Sequence, residues 1–72
     1  MAPKLLGRVR VHLLTYAVVE RKGGIYLVKG QKGHGRELGG PFGSVDELMA
    51  VLHDPTQVSE LWRSATFEPA PQ

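Results

Sequence analysis

The chain has 72 residues, no cysteine and a net charge of +2. That excludes disulfide stapling and thiolate metal centres, and leaves room for one small domain. The charge is divided by position: residues 1–36 carry eight Lys/Arg against Glu20, or +7, and residues 37–72 carry six Asp/Glu against Arg63, or −5.

Residues 1–7 are expected to be a flexible N-terminal segment, 8–66 a single domain and 67–72 a disordered Pro-containing tail. No apolar run approaches the roughly 20 residues of a membrane span. No small-residue cleavage pattern follows Val11–Val19, so a leader is not expected and the predicted location is the cytoplasm.

From Arg8 to Glu20 the odd positions Val9, Val11, Leu13, Ala17 and Val19 are apolar and β-branched residues are frequent. The pattern predicts one long strand with a buried odd face. Arg8, Arg10, His12, Leu14, Tyr16 and Val18 would then line the opposite, open face, a mixture of cations, aromatic and aliphatic groups suited to binding. The alternative is a bend or bulge that turns Leu14 and Val18 inward. Lys22-Gly23-Gly24 reads as a turn and Ile25–Val28 as the returning strand of a hairpin.

Residues 30–43 hold six glycines, with Arg36-Glu37-Leu38 as a possible third strand. Gly33-His34-Gly35-Arg36-Glu37-Leu38-Gly39 has neither the spacing of a dinucleotide fingerprint nor the Gly-Lys-Ser/Thr ending of a P-loop. It reads either as a partner-contacting arm bearing Lys32, His34 and Arg36, or as a flexible connection.

Ser44-Val45-Asp46-Glu47 is a capping box, followed by the apolar stripe Val45, Leu48, Met49 and Leu52. A second helix is expected from Asp54-Pro55, with Gln57 completing a second box and Val58, Leu61, Trp62 and Ala65 as its stripe. The resulting fold class is α+β: a small two-layer domain with an antiparallel β-hairpin, or three strands, packed on one or two short C-terminal helices. Over a dozen residues, Glu37–Leu48 is similar to the sheet-to-helix passage of plant-type three-stranded DNA-binding domains. Gly-Pro-Phe-Gly-Ser also resembles a passage of small peptidoglycan-binding repeat domains. The chain has no Trp in its strands and an extra residue before Phe42, and it is assigned to neither family.

Enzymatic readings fare poorly. Ser44 is accounted for as a cap, Asp46 and Glu47 sit where a helix start favours acids, and His12, His34 and His53 lack metal-motif spacing. The chain is therefore expected to be no enzyme and to hold no metal or cofactor. The predicted function is a small regulatory protein that docks through its basic hairpin on an acidic surface of a larger assembly, in transcription or nucleic-acid machinery. The expected partner-binding residues are Arg8, Arg10, His12, Leu14, Tyr16, Arg21, Lys22, Lys29, Lys32 and Arg36. The competing reading is direct DNA or RNA binding by the same basic hairpin. A homodimer packed through Trp62 and Phe67 is a further possibility, and no membrane partner is expected.

Overall fold

In a computed structural model that describes residues 4–30, 32, 33 and 35–71, the chain forms one five-stranded antiparallel sheet. The strands are β1 (Lys4–Val11), β2 (Leu14–Arg21), β3 (Gly24–Lys29), β4 (Glu37–Phe42) and β5 (Thr66–Pro69), in the order β4-β3-β2-β1-β5. One helix, α1 (Val45–Leu52), and one 3₁₀ turn (Glu60–Ser64) lie between β4 and β5.

This overturns the expected two-layer packing of a hairpin on C-terminal helices. There are five strands, the second helix does not form, and the last element is a strand. β1 starts at Lys4, inside the segment expected to be flexible, and β5 reaches Pro69, inside the expected tail. Met1, Ala2 and Pro3 lie outside the described residues.

The single long strand is in fact a hairpin. Val11 pairs with Leu14, and the two residues between them, His12 and Leu13, form the turn. Residues opposite each other in an antiparallel pair share a face, so a two-residue turn inverts the parity of side chains along the sequence. The odd residues Val9 and Val11 therefore share their face with the even residues Tyr16 and Val18. Ala17 and Val19 go to the other face, beside Arg8, Arg10 and Leu5. Of the residues expected on one open surface, only Arg8 and Arg10 keep that position. Tyr16 and Val18 belong to the main core, which is the inward turning that the alternative assigned to a bend.

That core gathers Val9, Val11, Val18, Ile25, Leu27, Leu48, Leu52 and Ala65. α1 supplies Leu48 and Leu52 from the expected stripe, with Val45 and Met49 half-buried at its margin. Ser44 caps the helix as expected, its Oγ accepting from the Glu47 amide at 3.0 Å. Glu47 reaches back one residue further than the capping box requires, accepting from the Gly43 amide. Phe67 from β5 closes the core near Gly7, where an added Cβ would stand 2.5 Å from the Phe67 ring.

A smaller cluster of Ala17, Val19 and Val28 is buried on the opposite face, with Leu5 and Tyr26 against it. Its cover is the loop between β3 and β4, whose Gly33 is buried at φ 78. A Cβ there would lie 2.9 Å from Val19 Cγ1. Glycine allows this backbone conformation and the close approach together.

The second helix fails for a local reason. Asp54 Oδ1 accepts from the Thr56 amide at 2.9 Å and its hydroxyl at 2.7 Å, while Oδ2 accepts from Gln57 Nε2 at 2.9 Å. This closes a single turn. Ser59 then takes an extended conformation at ψ 146 and caps the 3₁₀ turn, accepting from the Leu61 amide at 3.3 Å. A helix this short has little stability of its own, and Trp62 and Ala65 reach the core without one.

Candidate functional site

The two tight turns of the sheet are built differently. Lys22 and Gly23 have φ values of 51 and 76, the positive pair of a type I′ hairpin, and Gly23 makes the second of them free of strain. His12-Leu13 has a histidine at φ 54 and no glycine. A left-handed conformation costs a non-glycine residue about 1–2 kcal/mol, a cost that Lys22 bears in the other turn as well. Leu13 beside it is 100 % exposed and Leu14 is 51 % exposed. The hairpin tip thus combines a left-handed histidine with a leucine, Leu13, that no described part of the fold covers. Neither feature helps the chain to fold.

The surroundings of the tip are basic. Arg10, His12, Leu13 and Thr15 line an open depression of about 250 Å³. Gly30 forms a bridge with Tyr16 near the start of β2, so the end of β3 lies at the same end of the sheet as the tip. Lys29 and Arg36 are held there together by the Lys29 amide donating to the Arg36 carbonyl at 2.9 Å. Both are exposed.

The remaining expected contact residues are distributed elsewhere. Tyr16 packs at a ring-centroid distance of 5.0 Å from Trp62 on the core side. Arg21 and Lys22 are at the opposite end of the sheet. Arg21 Nη1 is 3.0 Å from Glu37 Oε2 and its guanidinium lies 5.7 Å from the Tyr26 ring centroid, so it is engaged within the sheet. Lys32 is exposed on the loop that Gly33 anchors. Arg8 is half-buried in β1, next to the Ala17 position. His34 falls outside the described residues.

The division of charge along the sequence does not survive folding intact. β4 and β5 belong to the acidic half, yet they flank the sheet and carry Glu37 and Glu68 back to the basic strands. Glu68 Oε1 lies 3.6 Å from Arg10 Nη1, with both side chains more than half exposed. Arg21 and Arg10 are thereby each matched with a carboxylate, one tightly and one loosely.

His53, at the end of α1, donates from Nε2 to the Ala65 carbonyl at 2.8 Å and ties the helix to the start of β5. Asp54 has its carboxyl held below the ordinary value of 3.8, chiefly by the hydrogen bond from Gln57 and then by those from Thr56. Among the described residues, no three His, Cys, Asp or Glu side chains stand together as metal ligands. No helix among them is long and apolar enough to cross a membrane.

Leu13 is the feature that sequence reading missed, because the odd-face pattern assigned it to the core. No local signal marks the turn, since after Val11 the even positions Leu14, Tyr16 and Val18 are matched by the odd positions Leu13, Ala17 and Val19. Comparison with known proteins yields no match to a family model, a curated protein or a solved structure, so the reading of this site rests on its own geometry.

Proposed function

We propose that this chain is a non-enzymatic docking protein whose β1–β2 hairpin tip seats on an acidic protein surface of a larger assembly. The observation that carries the reading is the fully exposed Leu13 on the β1–β2 turn, beside Arg10 and at the same end of the sheet as Lys29 and Arg36. An apolar anchor ringed by charge is the usual composition of a contact surface, the anchor giving affinity and the charges speeding encounter and fixing orientation. Arg10, His12 and Leu13 form the contact, and Lys29 and Arg36 extend its positive potential. Regulation of transcription or nucleic-acid machinery is the setting in which a small basic docking protein of this kind fits, and it remains part of the proposal.

Direct nucleic-acid binding is less well served by the geometry. Glu68 and Glu37 stand among the cations, and Tyr16, the strand aromatic nearest the tip, is turned toward Trp62.

Affinity capture from a cell extract tests the proposal. Wild-type protein and a Lys22→Glu control at the far end of the sheet retain a stoichiometric protein, and Arg10→Glu combined with Leu13→Asp loses it. Retention of that protein by the double variant overturns the reading. Recovery of nucleic acid instead, with affinity falling about a thousandfold between 50 and 200 mM salt, does so in favour of a phosphate backbone.

A further inference from the structure

We infer that the depression beside the hairpin tip receives a side-chain carboxylate of an acidic peptide segment, and that Glu68 occupies its arginine until the peptide arrives. This rests on the docking role proposed above and adds the chemistry of the contact.

Arg10 stands at the centre of a row of polar residues. Thr15 on β2 and Thr66 on β5 are its register partners on either side, so two hydroxyl-bearing residues flank one guanidinium on a single sheet face. His12 and Leu13 complete the wall toward the tip. A guanidinium with hydroxyl neighbours is a donor-rich setting for a carboxylate, which can accept two parallel N–H bonds from arginine.

A carboxylate already reaches the Arg10 guanidinium from outside the depression, since Glu68 stands opposite Arg8 in the β1–β5 register. Glu68 approaches Arg10 at 3.6 Å, well beyond the roughly 2.7–2.9 Å of a strong charge-assisted bond. Ion pairs this exposed contribute little to stability, so the exchange of Glu68 for an incoming carboxylate meets a low penalty. Arg21 provides the contrast within the same sheet. Its pair with Glu37 is 3.0 Å long, less exposed, and lies beside the Tyr26 ring. Of the two pairs, that of Arg10 is the longer and the more exposed. Leu13, wholly exposed at the edge of the depression, selects a protein segment with an apolar side chain beside its acid. A phosphate backbone offers no such group.

The test uses two labelled probes, a decapeptide alternating Glu and Leu and its Gln-for-Glu counterpart, titrated by fluorescence anisotropy at low salt. Wild-type protein binds the acidic peptide more tightly. Glu68→Gln, by removing the competing carboxylate, tightens that binding by about 1.5- to 5-fold, the range spanned by exposed ion pairs. Arg10→Gln weakens it. Glu20→Gln makes the same change in net charge at the opposite end of the sheet and has a smaller effect than Glu68→Gln. Trp62 fluorescence verifies that each variant is folded.

Equal effects of Glu68→Gln and Glu20→Gln overturn the inference. If they are equal while Arg10→Glu plus Leu13→Asp still abolishes capture of the protein partner, the docking role stands without the carboxylate site. If capture also survives that double change, both fall. A short oligothymidylate that gains more than the peptide from Glu68→Gln identifies a phosphate as the ligand and also overturns the inference.

Discussion

Replacing His12 by glycine should make the protein more stable, although it removes a side chain from the candidate site. At φ 54 the histidine bears about 1–2 kcal/mol of conformational cost that glycine does not. Glycine in turn gives the unfolded chain more freedom to lose, at a cost of about 0.5–1 kcal/mol. The balance is a gain of about 0–1.5 kcal/mol. Urea unfolding followed by Trp62, the sole tryptophan and in contact with the Tyr16 ring, reports it. With a slope of about 1 kcal/mol/M for a chain this small, the midpoint rises by up to about 1.5 M. Two further variants frame that value. Leu13→Ser removes a side chain that is 100 % exposed, and stability stays within about 0.5 kcal/mol of wild type. Val18→Ala empties a fully buried position between β1 and β3, and costs about 2 kcal/mol in lost transfer energy and cavity. A fall in midpoint for His12→Gly, or a loss above about 1 kcal/mol for Leu13→Ser, refutes the argument that the tip contributes nothing to folding.

Three other outcomes follow from the packing and the titration. Gly7→Ala places a methyl group 2.5 Å from the Phe67 ring and against the Glu68 carbonyl, so β5 is pushed from the sheet edge. Hydrogen exchange at the β1–β5 amides should accelerate while the β2–β3 amides remain protected. Gly33→Ala combines a left-handed backbone with a 2.9 Å approach to Val19, and should lower stability by about 1–2 kcal/mol in the same urea assay. For Asp54 the folded-state pKa is lowered, so its contribution is present above the ordinary value near 3.8 and disappears as the pH falls through the lower folded value. The stability difference between wild type and Asp54→Asn should therefore be constant near neutrality and shrink only in that acidic window, and NMR titration of the Asp54 carboxyl should give a midpoint below 3.8.

Much of the local structure was legible because single residues dictate it. Ser44 and Glu47 specify a helix start, Val45, Leu48, Met49 and Leu52 its buried side, and Lys22-Gly23 a turn. The error over residues 8–20 arose because Leu13 continues the odd apolar series of Val9 and Val11, and no Gly, Asn or Asp marks the turn at His12. One unmarked turn inverted the face of every later residue in the strand, and with it Leu14 and Tyr16 of the expected site. β4 was legible in part, at Glu37 and Leu38, while Gly39, Gly40 and Pro41 gave no strand signal, since the edge of a sheet tolerates residues its centre does not. β5 was hidden for a similar reason. Thr66–Pro69 is too short to declare itself, and its pairing with residues 7–10 is a long-range contact that no local pattern encodes. The positions of Glu37 and Glu68 depend on those two strands, which is why the division of charge along the sequence overstated the separation in space.

The docking claim turns on Leu13, and one comparison tests it most directly: quantitative capture of the stoichiometric protein partner by wild type and by Leu13→Asp, with both proteins shown to be equally stable. The account predicts that wild type retains the partner and that Leu13→Asp loses most of it with no loss of stability. Equal recovery by the two proteins would contradict it.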